Sequence, residues 1–185
     1  MKRAAPRLER AIQRAIGLAE ATLHYGRAEP TAPNLVSVSL APAIEEAAAE
    51  GLAGATNIEW SLDVSGKGCA MADGEHIHRI VANLVRNAAR AIRDQPGRTT
   101  PGKITAKVYR DADCAIVEVA DNGPGVPAMV VNKLFQPFSG SGSRDGAGLG
   151  LAIARELARG MKGELELARN SDAGAVFRLR VPAAG

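Results

Sequence analysis

Between Asn83 and Ile92 the chain reads NLVRNAARAI, and three of these residues can do chemistry together. Ile77, Ile80, Val81, Leu84, Val85, Ala88, Ala91 and Ile92 recur with a period of about 3.6 residues, which predicts an amphipathic core helix over residues 74–95. At about 100° per residue, Asn83, Asn87 and Arg90 fall in one line at the border of the apolar stripe. A carboxamide placed there can offer its oxygen to a hard cation. An arginine one turn on can meet the phosphates that the cation neutralises. Taken alone, the same stripe also fits the wet side of an ordinary half-exposed helix.

Two glycine-rich stretches downstream carry the complementary chemistry. Asp121-Asn122-Gly123-Pro124-Gly125 follows a strand-like run, so a carboxylate stands at a strand end before two glycines that can take positive φ and let a ligand approach the backbone. A carboxylate accepts and cannot donate; it suits the exocyclic amine of adenine and opposes the carbonyl that guanine carries there. An Asp/Asn/Gly/Pro turn without any ligand has the same composition. Farther on, Gly146, Gly148 and Gly150 lead into a helix over residues 151–159, whose free N–H groups and dipole suit phosphate. The Ser/Gly composition of the segment from Ser139 to Ala147 is that of a mobile lid. No strand precedes this G-x-G-x-G, which argues against a dinucleotide-binding fold.

These residues need elements to hold them. Residues 6–27 place Leu8, Ile12, Ile16, Ala19 and Leu23 on a heptad-like seam, which calls for a partner helix from sequence outside this chain or from another copy of it, as in a homodimer; His24 lies beside it and reads as a surface or packing residue. AEPTAPN, residues 28–34, is a linker. Residues 35–40 alternate as a strand, and Pro42 opens a short helix ending near Gly51 or Gly54. Strands are expected over residues 56–64 and 69–71, and over 103–110 and 114–120 as a hairpin. A short helical stretch should cover residues 128–135, and final strands 164–168 and 176–181.

Composition bounds the rest. At 185 residues and 46% apolar, the chain can bury one α/β core with an appendage. The net charge of +3 is scattered, and aromatics make up only 3%, which speaks against a nucleic-acid surface. No long apolar run spans a membrane and the N-terminus has no leader pattern. Cys69 and Cys114 read as buried reduced thiols, and a cytoplasmic setting fits.

The order of these segments resembles the ATP-binding catalytic domain of sensor histidine kinases, the Bergerat fold shared with DNA gyrase, heat-shock chaperones and mismatch-repair ATPases. The features that carry it are the Asn helix, D-x-G-x-G after a strand, Phe135 and Phe138 in F-x-x-F, the Ser/Gly segment, and G-x-G-L-G-L opening a helix. The resemblance implies a two-layer α/β sandwich, a mixed sheet with three main helices on one face, plus the N-terminal helix. Residues 1–29 would be part of a dimerisation and phosphoacceptor domain with its linker, and residues 30–185 the catalytic domain. By the same resemblance Asn87 would coordinate Mg2+, with Asn83 and Arg90 beside the phosphates of ATP. Asp121 would hold the adenine amine. Gly123, Gly125, Gly146, Gly148, Leu149 and Gly150 would shape pocket and lid, with Phe135 and Phe138 as lid anchors.

In the ATP-hydrolysing branches of that fold, a glutamate one turn before the metal-binding asparagine activates water; here the position is Asn83, which cannot take a proton. The phosphoryl group would therefore pass to a histidine on a dimerisation helix. That helix is not found in these residues, so the chain is expected to be inactive alone. From the histidine the group would go to an aspartate on a response regulator receiver domain. An adaptor that keeps the fold without binding ATP is the alternative, and the intact Asp121, Asn87 and glycines argue against it.

Overall fold

The computed structural model describes residues 32–66, 68–138 and 148–185. The seam helix with His24, and the segment from Ser139 to Ala147 with Gly146, lie outside the described residues. In chain order the elements are β1 (Val36–Ser39), α1 (Leu40–Gly51), β2 (Ile58–Val64), β3 (Cys69–Ala72), α2 (Gly74–Arg93), β4 (Gly102–Asp111), β5 (Cys114–Asp121), α3 (Ala128–Val131), α4 (Gly150–Gly160), β6 (Glu164–Ser171) and β7 (Gly174–Pro182).

Five strands form one mixed sheet in the order β2-β4-β5-β7-β6, in which β2 and β4 run parallel and the other neighbours antiparallel. Period-2 alternation sorts the side chains. Ile104, Ala106 and Val108 of β4, Ala115, Val117 and Val119 of β5, and Ala175, Phe177, Leu179 and Val181 of β7 are buried in one cluster with Ile44, Ile77, Ile80, Leu84 and Ala154 of the helices. This is the expected α/β sandwich, with α1, α2 and α4 on the covered face. The opposite face carries charges in register: Asp63 lies across from Lys107, Lys107 from Glu118, Glu118 from Arg178, and Arg178 from Glu166. Arg178 binds Glu118 at 2.8 Å and Glu166 at 3.3 Å, so this face is a wet, self-neutralising surface.

The helix α2 forms as its period predicts, and Asp73 starts it. The Asp73 side chain accepts the backbone N–H groups of Glu75 and His76 at 3.0 and 3.2 Å, an N-cap, and its other oxygen accepts Asn34 N–H at 2.9 Å.

Four details differ from the pattern-based expectation. The strands near residues 36 and 70 form a separate two-stranded antiparallel sheet. The helical stretch after Pro127 is one turn, Ala128–Val131, followed by hydrogen-bonded turns. Both hairpin links are tighter than expected, because Asp111 pairs with Cys114 and Ser171 with Gly174. Cys69 and Cys114 are half-buried rather than buried, since each opens its strand at the sheet margin. No helix among the described residues is long and apolar enough to cross a membrane.

Candidate functional site

A cavity of about 130 Å³ opens where α2 meets the end of β5, and three of the expected residues line it. Asn87 lines it from α2 and Asp121 from β5, together with Gly125, while Ala88, Ala91, Leu134, Leu151 and Phe177 supply an apolar lining. Such a lining accepts the flat faces of a base, with few polar groups left to orient it.

The fixed side of Asp121 is its Oδ1. It accepts Gly123 N–H at 2.8 Å and Ala175 N–H at 3.4 Å, so Oδ2 is the oxygen left to a ligand among the described residues. Burial pushes the Asp121 carboxyl above its ordinary range, against the two backbone N–H groups and the charge of Arg98, which pull it down. Arg98 itself is tied to the loop, donating to the Asn122 carbonyl at 2.9 Å. The Asn122 side chain accepts Lys103 N–H at 2.7 Å and donates to Pro101 O at 3.3 Å, fastening the loop to the start of β4.

The two glycines of D-x-G-x-G act for different reasons, contrary to the expectation of positive φ at both. Only Gly125 has it, at 71°, and a Cβ there would lie 2.2 Å from Ser171 O. Gly123 is needed for proximity: a Cβ would lie 2.9 Å from Asp121 Oδ1.

Along α2 the other two stripe residues serve flanking positions. Asn83 Oδ1 accepts Arg86 Nη1–H at 3.2 Å, and Arg86 is held by Glu50 of α1 at 2.6 Å. The N-terminus of α4 rests against Asn83, because a Cβ on Gly150 would approach Asn83 Oδ1 to 3.3 Å. Gly148 has φ 70°, Leu149 is buried, and among the described residues no side chain caps this helix end or places an acid in its first turn. The described residues thus leave the first N–H groups of α4 to an anion. Arg90 is three-quarters buried; its Nε lies 3.9 Å from Asp94, and among the described residues Nε and Nη2 have no hydrogen-bond partner. An acceptor arriving there would satisfy both.

Phe135 packs edge-on against Phe177 with centroids 6.5 Å apart, and the Arg155 guanidinium lies 4.9 Å over its ring. Phe138 is 60% exposed with φ 62° and does not line the cavity. Residues without a motif to reveal them also build the site: Ala175 and Arg98 at Asp121, Val126 on the wall, and Asn170, which holds Val126 by two hydrogen bonds. A Gly-Ala pair opening a strand was the one available signal for Ala175.

A mixed sheet backed by three helices, with the cavity between the long helix and the end of a central strand, defines an α/β sandwich of the histidine kinase ATPase type. It is similar to full-length ShkA in complex with AMPPNP, with a TM-score of 0.73 at 25% identity, over 93% of this chain and 36% of that one. Residues 72–185 match the family described as histidine kinase-, DNA gyrase B-, and HSP90-like ATPase, and the chain belongs to that family. Among curated relatives, sensor protein TorS of Escherichia coli (strain K12) is 38% identical over 116 residues, 62% of this chain and 12% of that protein. Sensor protein FixL of Bradyrhizobium diazoefficiens is 35% identical over 150 residues, 79% of this chain and 29% of that protein. The chain therefore spans less than a third of the length of these relatives.

Proposed function

We propose that the chain is the ATP-binding catalytic domain of a two-component sensor histidine kinase, which holds Mg-ATP and passes its γ-phosphoryl to a histidine on a dimerisation helix, for relay to a response regulator receiver domain. The observation that carries this reading is the pairing of Asp121 and Asn87 on one cavity, with Asp121 Oδ1 locked by backbone and Oδ2 open.

Asp121 Oδ2 accepts the adenine amine. The purine lies against Ala88, Ala91 and Leu151, and the phosphates run toward Asn83, Arg90 and the open end of α4. The donor set fits magnesium: Asn87 offers a half-buried carboxamide oxygen, and no cluster of three His, Cys, Asp or Glu exists among the described residues, so most ligands would be phosphate oxygens and water. Bound there, the ion would neutralise the triphosphate charge. With Asn83 one turn before Asn87, no base stands ready for water, and a group outside this body supplies the nucleophile.

Calorimetric titration with Mg-ATP and Mg-GTP tests the base assignment. Mg-ATP should bind at least about tenfold more tightly, the effect of about 1.4 kcal/mol. Asp121→Asn should erode that difference, because an amide can donate to guanine's carbonyl. Equal affinities in the unmodified protein would overturn the reading.

A further inference from the structure

We propose that Asn170, at the far end of β6, is a positioning residue of the nucleobase pocket: its carboxamide clamps Val126 and so sets the wall that faces Asp121. The inference rests on the nucleotide-binding reading above and adds to it a residue that touches neither base nor phosphate.

The geometry is that of a missing strand. Asn170 Oδ1 accepts Val126 N–H at 2.7 Å, and Asn170 Nδ2 donates to Val126 O at 2.8 Å. One side chain thereby satisfies both backbone groups of a residue that no strand reaches, as a neighbouring β-strand would. Beside it, the Gly125 backbone packs so tightly on Ser171 O that a Cβ would come within 2.2 Å of it. The loop after Asp121 is therefore seated on the β6–β7 turn at two successive residues.

A register shift in β6 between Leu167 and Arg169 makes this possible, because it places Asn170 opposite Ala175. Ala175 N–H in turn reaches Asp121 Oδ1 at 3.4 Å. A belt of contacts runs Asp121, Ala175, Asn170, Val126, and both of its ends line the cavity. With its N–H and carbonyl both engaged by Asn170, the Val126 backbone is held in one orientation beside Asp121.

The test is a nitrogen–proton NMR titration of the 185-residue chain with adenosine and with Mg-ATP, on the unmodified protein, Asn170→Ala and Asn170→Asp. Asn170→Ala should weaken adenosine and Mg-ATP by the same factor, about 3- to 10-fold as expected for losing one or two hydrogen bonds. Asn170→Asp keeps the acceptor for Val126 N–H but sets a second acceptor against Val126 O, and should fall between. The Val126 amide should exchange with solvent faster in Asn170→Ala, with Tm lowered by no more than about 3 °C, which separates positioning from general destabilisation. If Asn170→Ala does not fold, Asn170→Asp carries the comparison. Unchanged adenosine affinity beside normal binding in the unmodified protein overturns the clamp alone. Absence of binding by the unmodified protein overturns the nucleotide reading and the clamp together.

Discussion

Asp121 is asked to be charged in a place that disfavours charge. Burial raises its pKa, and the two backbone N–H groups with Arg98 recover only part of the loss. A carboxyl whose folded-state pKa lies above the unfolded value of 3.8 stabilises the fold only in its protonated form; that contribution is lost as pH rises through the folded pKa. At pH 7 the ionised group is a local cost, which the proposed reading sets against recognition of the adenine amine. Asp121→Asn retains an oxygen for Gly123 N–H and Ala175 N–H and removes the charge. It should raise Tm at pH 7 by about 2–4 °C, the effect of about 1 kcal/mol in a chain of this size, while weakening adenine nucleotides. Thermal melts between pH 3.5 and 7 check this: the gain should vanish at the acid end, and a mutant less stable than the parent at pH 7 would refute the assignment. Asp121 and Asn87 were legible because a motif names them. Asn170, Ala175 and Arg98 were not, since Asn170 lies 44 residues from Val126 and Ala175 lies 54 from Asp121, and no periodicity encodes such a meeting.

Among the elements, α2 is the one whose placement everything else depends on, and its starting point is set by Asp73. Burial raises the Asp73 pKa, but the N–H groups of Asn34, His76 and Glu75 and the charge of His76 outweigh it and hold the carboxyl below 3.8. A depressed folded pKa contributes stability above the unfolded value that is lost as pH falls through the folded one. Asp73→Ala should therefore cost about 1–2 kcal/mol at neutral pH, in the range of an N-cap, and lower Tm by about 2–8 °C. The deficit should shrink below pH 4, and a pH-independent deficit in thermal melts would show that the capping charge is not its source. The long helix and the β4–β5 hairpin were readable because each follows one clear period, 3.6 or 2, over enough residues to be unambiguous. The separate β1–β3 sheet was not readable, because its strands are four residues each and both α1 and β2 lie between them in the chain. The two hairpin links were read one or more residues too long because Ala112 takes φ 50° and Gly174 φ 134°, and a backbone of that kind at an alanine leaves no mark in composition.

At the scale of the molecule, the described body contains a pocket for a nucleotide and no group placed to attack it. Its polar lining consists of Asn87, whose carboxamide is not a nucleophile, and Asp121, whose Oδ1 is held by the N–H groups of Gly123 and Ala175 and which the proposed reading assigns to the base. Both described histidines sit on the first half of α2 and do not line the cavity: His78 lies 3.6 Å from Glu50, and the buried His76 Nδ1 has no hydrogen-bond partner among the described residues. Asn83 is held by Arg86 and cannot serve water as a base. In-line attack needs the nucleophile within about 3–3.5 Å of the phosphorus, so the proposed kinase reading requires that a histidine be brought to the pocket from outside the described body. The 185-residue chain should bind Mg-ATP without turning it over and without labelling itself. A helix bearing a phosphoacceptor histidine, added as a separate polypeptide, should take up an acid-labile, base-stable label. Asn87→Ala should abolish that transfer, because the triphosphate charge then lacks its metal-holding ligand. Incubation with radiolabelled ATP, followed by acid and by base treatment, reads all of these outcomes. An acid-labile label on the isolated chain that disappears in His24→Ala would show that the nucleophile was present all along, in the segment whose heptad-like sequence pattern predicts packing.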